Sequence, residues 1–409
     1  MDTLPSELLK YVCHCLDQSS LRTFSEVSSS CRAAAIDTLF RQVSLRFSSS
    51  QSLLANVERL TGILQRLDAF RCVGKISVLS SDLHPLEGPH LPDCGDFILH
   101  PWKYCGARWP EKDAVKVKDW QYLAQLLARL KALEHFSWGC HEQIPTCVLD
   151  VLETQLSQVR IHMLHFSLRS LLQPPKGEPP EVRIEMDPHE LRLATSRNLY
   201  SLAMHYDYIN SGSVDYNEYA VKDMVLGAAP NLKEVYLYQY SSGSNPWTAQ
   251  AIRAPKELWR TGRIVPSAPA PTRGRLERLE LINRRISIPF LESWHQCTDL
   301  SVLRTLKIYS NVHTQELRWL SENCHLDSLK VIALDLHEED DPVYEEFWLR
   351  IPPLKSLRLS GSYGQKTLRA IVDRHAATLE TLLLVTPEME NPPEHGSAGF
   401  PSQDFLQIL

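Results

Sequence analysis

Apolar positions in the second half of this chain follow one recurring pattern. Leu-x-x-Leu-x-Leu appears as LERLEL (Leu276, Leu279, Leu281), LRTLKI (Leu303, Leu306, Ile308), LKVIAL (Leu329, Ile332, Leu334), LKSLRL (Leu354, Leu357, Leu359) and LETLLL (Leu379, Leu382, Leu384). The starts at 276, 303, 329, 354 and 379 lie 27, 26, 25 and 25 residues apart. A fixed period of that size marks a stack of similar supersecondary units. Less regular copies precede these: LKEVYL (Leu232, Val235, Leu237), LYSLAM (Leu199, Leu202, Met204), IHMLHF (Ile161, Leu164, Phe166), LEHFSW (Leu133, Phe136, Trp138) and VGKISV (Val73, Ile76, Val78).

Leu-x-Leu alternates as a strand does, and the residues after it are spaced as a helix is. TQELRWLSENC places Leu317 and Leu320 three apart, and QKTLRAIVDRHA is read as carrying Leu368, Ile371 and Val372 on one face. Each unit is thus strand, turn, helix. One unit cannot bury its apolar side, but stacked units share a core and line up a parallel sheet. The period lies within the window of about 20 to 29 residues of leucine-rich repeats, which the motif resembles. Three Pro-rich stretches, 84–119, 173–190 and 241–275, interrupt the stack and are read as insertions. After the last motif the chain runs through a Pro-rich loop to DFLQIL. Such an apolar end implies either a final helix tucked on the stack or an array that continues beyond this chain.

The first forty residues follow a different rhythm. Leu8, Leu9, Val12 and Leu16 have helical spacing; Leu21, Phe24 and Val27 mark a second short helix; Cys31, Ala35 and Leu39 mark a third. Pro5 suits a helix's first turn, Glu7 suits its positive end, and Asp17 to Ser20 supply a capping break. Three helices this short bury little surface alone.

LPSELLKYVCHCLDQSSLRTFSEVSSSCRAAAIDTLFRQVSL resembles an F-box: Leu-Pro, an acidic residue with Leu-Leu, Leu-Asp, a central Leu, a Val before Cys-Arg, and a Leu-aromatic-Arg close. LFRQVSL is similar to the Leu-Tyr-Arg-x-Val ending of fungal F-box proteins with leucine-rich repeats. The implied organisation is an F-box over 1–46, a helical linker over 47–72 and repeats over 73–409. The implied fold class is α/β: a three-helix F-box followed by a leucine-rich-repeat solenoid, with parallel strands on the concave face and helices on the convex face.

The resemblance implies a substrate receptor of an SCF-type ubiquitin ligase, with a Skp-family adaptor and a cullin scaffold as partners and a target protein held by the repeats. Leu4, Pro5, Leu8, Leu21 and Val27 match adaptor-contact positions of the motif, whereas Val12, Leu16, Cys31 and Leu39 would hold the helices together. For the target, the outward strand positions His205, Glu234, Tyr236, Tyr238, Tyr240, Arg278, Lys307, Tyr309 and Arg358 are candidates, since Tyr and Arg favour interface centres. The alternative is a repeat scaffold with no ligase role, whose N-terminal helices only cap the stack.

Composition narrows the partners further. With 43 Lys+Arg against 49 Asp+Glu, a net charge of -6 and no dense basic run, nucleic acid and anionic membranes are not expected partners. No signal peptide or membrane span is read, so the expected location is cytoplasm or nucleus. Ten cysteines without a Cys-x-x-Cys pair read as buried thiols. His90, Cys94, His100 and Cys105, and His162-x-x-His165, lack the paired spacings of a structural zinc site, so no metal or cofactor is expected. No phosphate-cradling loop, zincin motif or nucleophile elbow occurs, and the run Glu338, Glu339, Asp340, Asp341 reads as a solvated face. The expectation is a protein without catalytic activity.

Overall fold

A computed structural model describes residues 4–80, 115–140, 142–173, 186–206, 214–239, 252–253, 273–282, 286–337 and 342–385. The chain divides into two compact units, Met1–Leu168 with Met186–Leu202 and Arg169–Glu185 with Ala203–Leu409. Most of the three insertions, Tyr240, the histidines and cysteines between 90 and 105, the acidic run 338–341 and the C-terminal DFLQIL lie outside the described residues.

The first unit opens with three helices, α1 (Ser6–Cys15), α2 (Gln18–Val27) and α3 (Ser29–Leu39), as the spacing predicts. Strand β1 (Gln42–Phe47) follows, then α4 (Ser50–Arg66) within the stretch read as a helical linker. Next come β2 (Lys75–Ser80), α5 (Trp120–Arg129), β3 (His135–Gly139), α6 (Thr146–Thr154), β4 (Arg160–Phe166) and α7 (Pro188–Ala194). Strand β5 (Leu199–Tyr206) contains the division between the units. β1 to β4 pair in parallel and in chain order.

One strand therefore precedes those read from the sequence. In β1, Val43 and Leu45 stand in register with Ile76 and Val78 of β2. LFRQVSL, the close of the F-box-like stretch, is thus also a repeat strand. The IHMLHF frame is corrected as well. Ile161 and Met163 align with Phe136 and Trp138 and are fully buried, whereas Leu164 is only half-buried. Asn198 secures this region, its side-chain amide donating to the carbonyls of Leu152, Leu156 and Val159.

In the second unit β6 (Glu234–Gln239), β7 (Arg278–Ile282), β8 (Thr305–Val312), β9 (Val331–Leu336), β10 (Ser356–Gly361) and β11 (Thr381–Val385) are parallel neighbours in chain order. Helices α8 (Asn217–Asp223), α9 (Ile288–Cys297), α10 (Thr314–Asn323), α11 (Pro342–Arg350) and α12 (Gln365–His375) alternate with them. Val235, Leu279, Leu306, Ile332, Leu357 and Leu382 occupy one lateral row, and Leu237, Leu281, Ile308, Leu334, Leu359 and Leu384 the next. The motif alignment predicts this register. Leu279, Leu281 and Leu306 line one small cavity with Phe290, Trp294 and Leu320, so strand and helix residues share the core. Each unit has the α/β architecture of a leucine-rich-repeat solenoid.

Helix α12 departs from its reading. Thr367, Ala370, Ile371 and His375 are buried, at i, i+3, i+4 and i+8, while Val372 is exposed. Adjacent helical residues point about 100° apart, so Ile371 and Val372 cannot share a narrow face.

Two histidines, one buried and one largely so, tie stability to pH. Burial holds His375 in α12 and His162 in β4 down to about 4, and His375 Nδ1 accepts from the Leu354 N–H at 3.3 Å. An unfolded histidine titrates near 6.5. As pH falls from about 6.5 toward 4, the unfolded chain binds protons that the fold refuses, so stability declines across that window, by up to roughly 2–3 kcal/mol per residue. Thermal melts from pH 7.5 to 4.5 should show the loss. Ring signals in NMR should show both histidines neutral at pH 5.

Candidate functional site

The N-terminal helices form a small folded unit with one unsatisfied face. Leu9, Cys13, Leu21, Cys31, Ala34 and Ala35 make its core, with Leu16, Phe24 and Leu39 packed against it. Asp17 caps α2, its carboxylate accepting from the Ser20 N–H at 2.7 Å, a bond that holds its carboxyl below the usual range. Ser28 caps α3 through the Cys31 N–H at 3.1 Å. Pro5 stands at the N-cap of α1, just outside the helix, and its carbonyl accepts from the Leu8 and Leu9 N–H groups.

Opposite that core, α1 presents apolar residues to solvent. Leu4 is 43% exposed, Leu8 52%, Tyr11 70% and Val12 37%. Leu8, Tyr11 and Val12, at i, i+3 and i+4, share one face of α1, and Leu4 stands just before the Pro5 N-cap. Val27, at the end of α2, is 57% exposed. Among the described residues five of the eleven exposed large hydrophobics fall within residues 4–27, so this segment departs from the scattered pattern that needs no explanation.

The structure divides the residues that the sequence assigns to adaptor contact. Leu4, Pro5, Leu8 and Val27 are exposed, but Leu21 is 2% exposed and belongs to the three-helix core. Val12, read as holding the helices together, faces solvent; Leu9 and Cys13 fill that role. On an α1 helix packed along one stripe, Leu8 and Leu9 must diverge by about 100°. Tyr11 joins the exposed face unannounced, although its place three residues after Leu8 could have revealed it.

Of the residues assigned to a target, His205 lies in β5 with its side chain outside the described set, as is all of Tyr240. Tyr236 and Tyr238, read as outward positions available to a target, are buried. Tyr236 donates its hydroxyl proton to Glu234 at 2.9 Å and accepts from Arg278 at 3.3 Å. In row with Tyr236 stand Glu280, Lys307, Ala333 and Arg358. Glu280 is fully buried, with Lys307 Nζ at 3.0 Å and Arg278 at 3.9 Å. Burial pushes its carboxyl up, and the two cations oppose that. Arg358 lies over the Tyr309 ring at 5.2 Å. These side chains are largely spent on one another, as neighbouring strands require.

The first unit's sheet holds a polar cluster that sequence reading passes over. His135 Nδ1 and His162 Nε2 are 2.9 Å apart, their rings stacked with centroids at 5.1 Å, and His162 Nδ1 is 2.8 Å from the Ser201 hydroxyl. Arg160 lies over the Tyr200 ring at 4.8 Å. The spacing of these residues along the chain carries no motif. Only the register across three strands joins them.

Among the described residues no group of three or more His, Cys, Asp or Glu side chains is placed to hold a metal. No helix there is long and apolar enough to cross a membrane. No protein-family model matches the chain, and no curated protein matches it in sequence. Among solved structures, a chain of "Crystal structure of Rad7 and Elc1 complex in yeast" is similar over 95% of this chain and 87% of its own length, at 13% identity and a TM-score of 0.44.

The division between core and face is measurable. Leu21→Ala should cost about 2–5 kcal/mol in denaturant unfolding, as a buried leucine does. Leu8→Ala should stay within about 0.5 kcal/mol.

Proposed function

We propose that this protein is a non-catalytic receptor that docks on a Skp-family adaptor through α1 and holds a target protein on its repeat sheet, as the substrate-binding subunit of an SCF-type ubiquitin ligase. The observation that carries this reading is the exposed apolar stripe Leu8, Tyr11 and Val12 on α1, with exposed Leu4 just before its N-cap, on a helix whose other side already has a complete core. An apolar helical face of this kind suits burial in a groove of a second polypeptide. The cullin scaffold is reached through the adaptor. The receptor contributes geometry, holding the target near the transfer machinery so that reaction becomes effectively intramolecular.

The capping alternative accounts for a different face. Cys72 Sγ, just before β2, lies 3.0 Å from Asp37 in α3, and Lys10 pairs with the same carboxylate at 3.6 Å. The helices thus meet the start of the repeats through α3. That contact gives α3 a capping role and leaves the α1 stripe without an explanation, which favours a partner for α1.

Co-expression with a Skp-family adaptor tests the assignment. The double substitution Leu4→Asp with Leu8→Asp should abolish co-purification and leave the melting temperature of the chain unchanged, because both side chains already face water. Co-purification undiminished by the double variant would remove α1 as the docking face.

A further inference from the structure

The open side of the first unit's sheet carries a row of basic groups with no acid among them. Lys75, His135 and Arg160 stand in direct register on β2, β3 and β4. Their neighbours in sequence, Ile76, Phe136 and Ile161, are buried on the core side, so the three basic side chains leave the other face. Adjacent strands are about 4.8 Å apart, which spaces the groups for one small ligand. Among the described residues no carboxylate forms an ion pair with any of the three.

The row is also held in place. The Arg160 guanidinium rests over Tyr200, and the His135 ring is fixed through Nδ1 by His162, which is fixed in turn by the buried Ser201. Among the described residues no hydrogen bond engages the His135 Nε2. Groups held this way lose little freedom when they bind.

We infer that Lys75, His135 and Arg160 form an oxyanion subsite that takes a phosphate or carboxylate side chain from a bound protein segment. Lys75 and Arg160, cations without a carboxylate partner among the described residues, can each make a charge-assisted bond to an oxyanion. Nucleic acid fits less well, because its affinity rests on many phosphate contacts, whereas this row is three residues wide in a chain of net charge -6. That the ligand is carried by a protein rests on the receptor reading above; the subsite itself does not.

Proton uptake follows from the same geometry. Lys75 from β2, Arg160 and His162 from β4 and Glu134 just before β3 act on the His135 ring, and Tyr200 and Ser201 from β5 lie behind it against His162. Burial holds its pKa down, Lys75 and Arg160 push the same way, and Glu134 opposes them. An anion between the two cations offsets their effect and lets His135 protonate, so binding strengthens as pH falls toward 6.

The probes are inorganic phosphate and three otherwise identical Gly/Ser peptides bearing phosphoserine, glutamate or glutamine, titrated into the full chain and followed by NMR of the histidine rings. Phosphate should shift the His135 signals and raise their titration midpoint, and one or both acidic peptides should bind more tightly than the glutamine peptide. The two acidic peptides tell which oxyanion the site prefers. Lys75→Gln with Arg160→Gln should weaken binding by about tenfold or more with melting unchanged, and Arg160→Lys should restore part of it. The double variant should recruit the Skp-family adaptor as the unsubstituted chain does, so loss of adaptor binding by every form would retire the receptor reading without touching the subsite. His135 signals unmoved by phosphate, or equal binding of all three peptides, would sink the subsite. An oligonucleotide that outcompetes both acidic peptides would overturn the protein ligand.

Discussion

Lateral burial of the inward strand pair is the contact on which the rest of this structure depends. Each strand brings two apolar side chains to the core side, and neither is covered by its own repeat alone. Leu306 and Ile308 are enclosed only because Leu279 and Leu281 stand on one side, Ile332 and Leu334 on the other, and α9 and α10 behind. Stability in such a stack is a sum of weak units and strong neighbour contacts. The backbone follows the same logic: the residue before each strand from β7 to β11 donates its N–H to the matching carbonyl one repeat earlier, from Glu277 to Lys233 through to Glu380 to Lys355.

That constraint divides every strand into two alphabets. Core-side positions must be apolar and of fitting volume, and the open side is free to carry charge. Freedom there is still limited by crowding between strands 4.8 Å apart. Glu280, Lys307 and Arg278 show one outcome, where opposite charges on adjacent strands satisfy one another and little is left for a ligand. Lys75, His135 and Arg160 show the other, where two cations flank a histidine in one row with no carboxylate between them. Two cations without an opposite charge in their row do little to support the sheet and are better placed to bind an anion.

Legibility in the sequence tracked how strictly this alternation was kept. The five C-terminal repeats have Leu or Ile at every core-side position, so motif, strand and register coincide. IHMLHF misled because Ile161, Met163, Leu164 and Phe166 are all apolar, and a period of two offers competing frames when the polar positions are not clearly polar. Tyr236 and Tyr238 misled in the opposite way, since an amphipathic ring on the open side can be buried by its neighbours without ever reaching water. β1 was hidden because LFRQVSL serves one pattern and resembles another. The His135–His162–Ser201 cluster had no signal at all in one dimension, as its members lie 27 and 39 residues apart and meet only through strand register.

The N-terminal helices invert the arrangement of the repeats. A repeat strand has one apolar side and hides it; α1 has two and hides one. Leu9 and Cys13 close a core with Leu21, Cys31, Ala34 and Ala35, so the unit does not rely on Leu4, Leu8, Tyr11 or Val12 to stay folded. Leaving such side chains in water forgoes roughly 1.5–3 kcal/mol for each that could be fully buried. Among the described residues nothing compensates that loss, whereas a groove on a second protein would recover it. Binding and folding thus draw on separate sides of one helix, which is why substitutions on the outer side can be severe for association and mild for stability. The repeats could not offer this separation, because in them the apolar side is already committed to the neighbour.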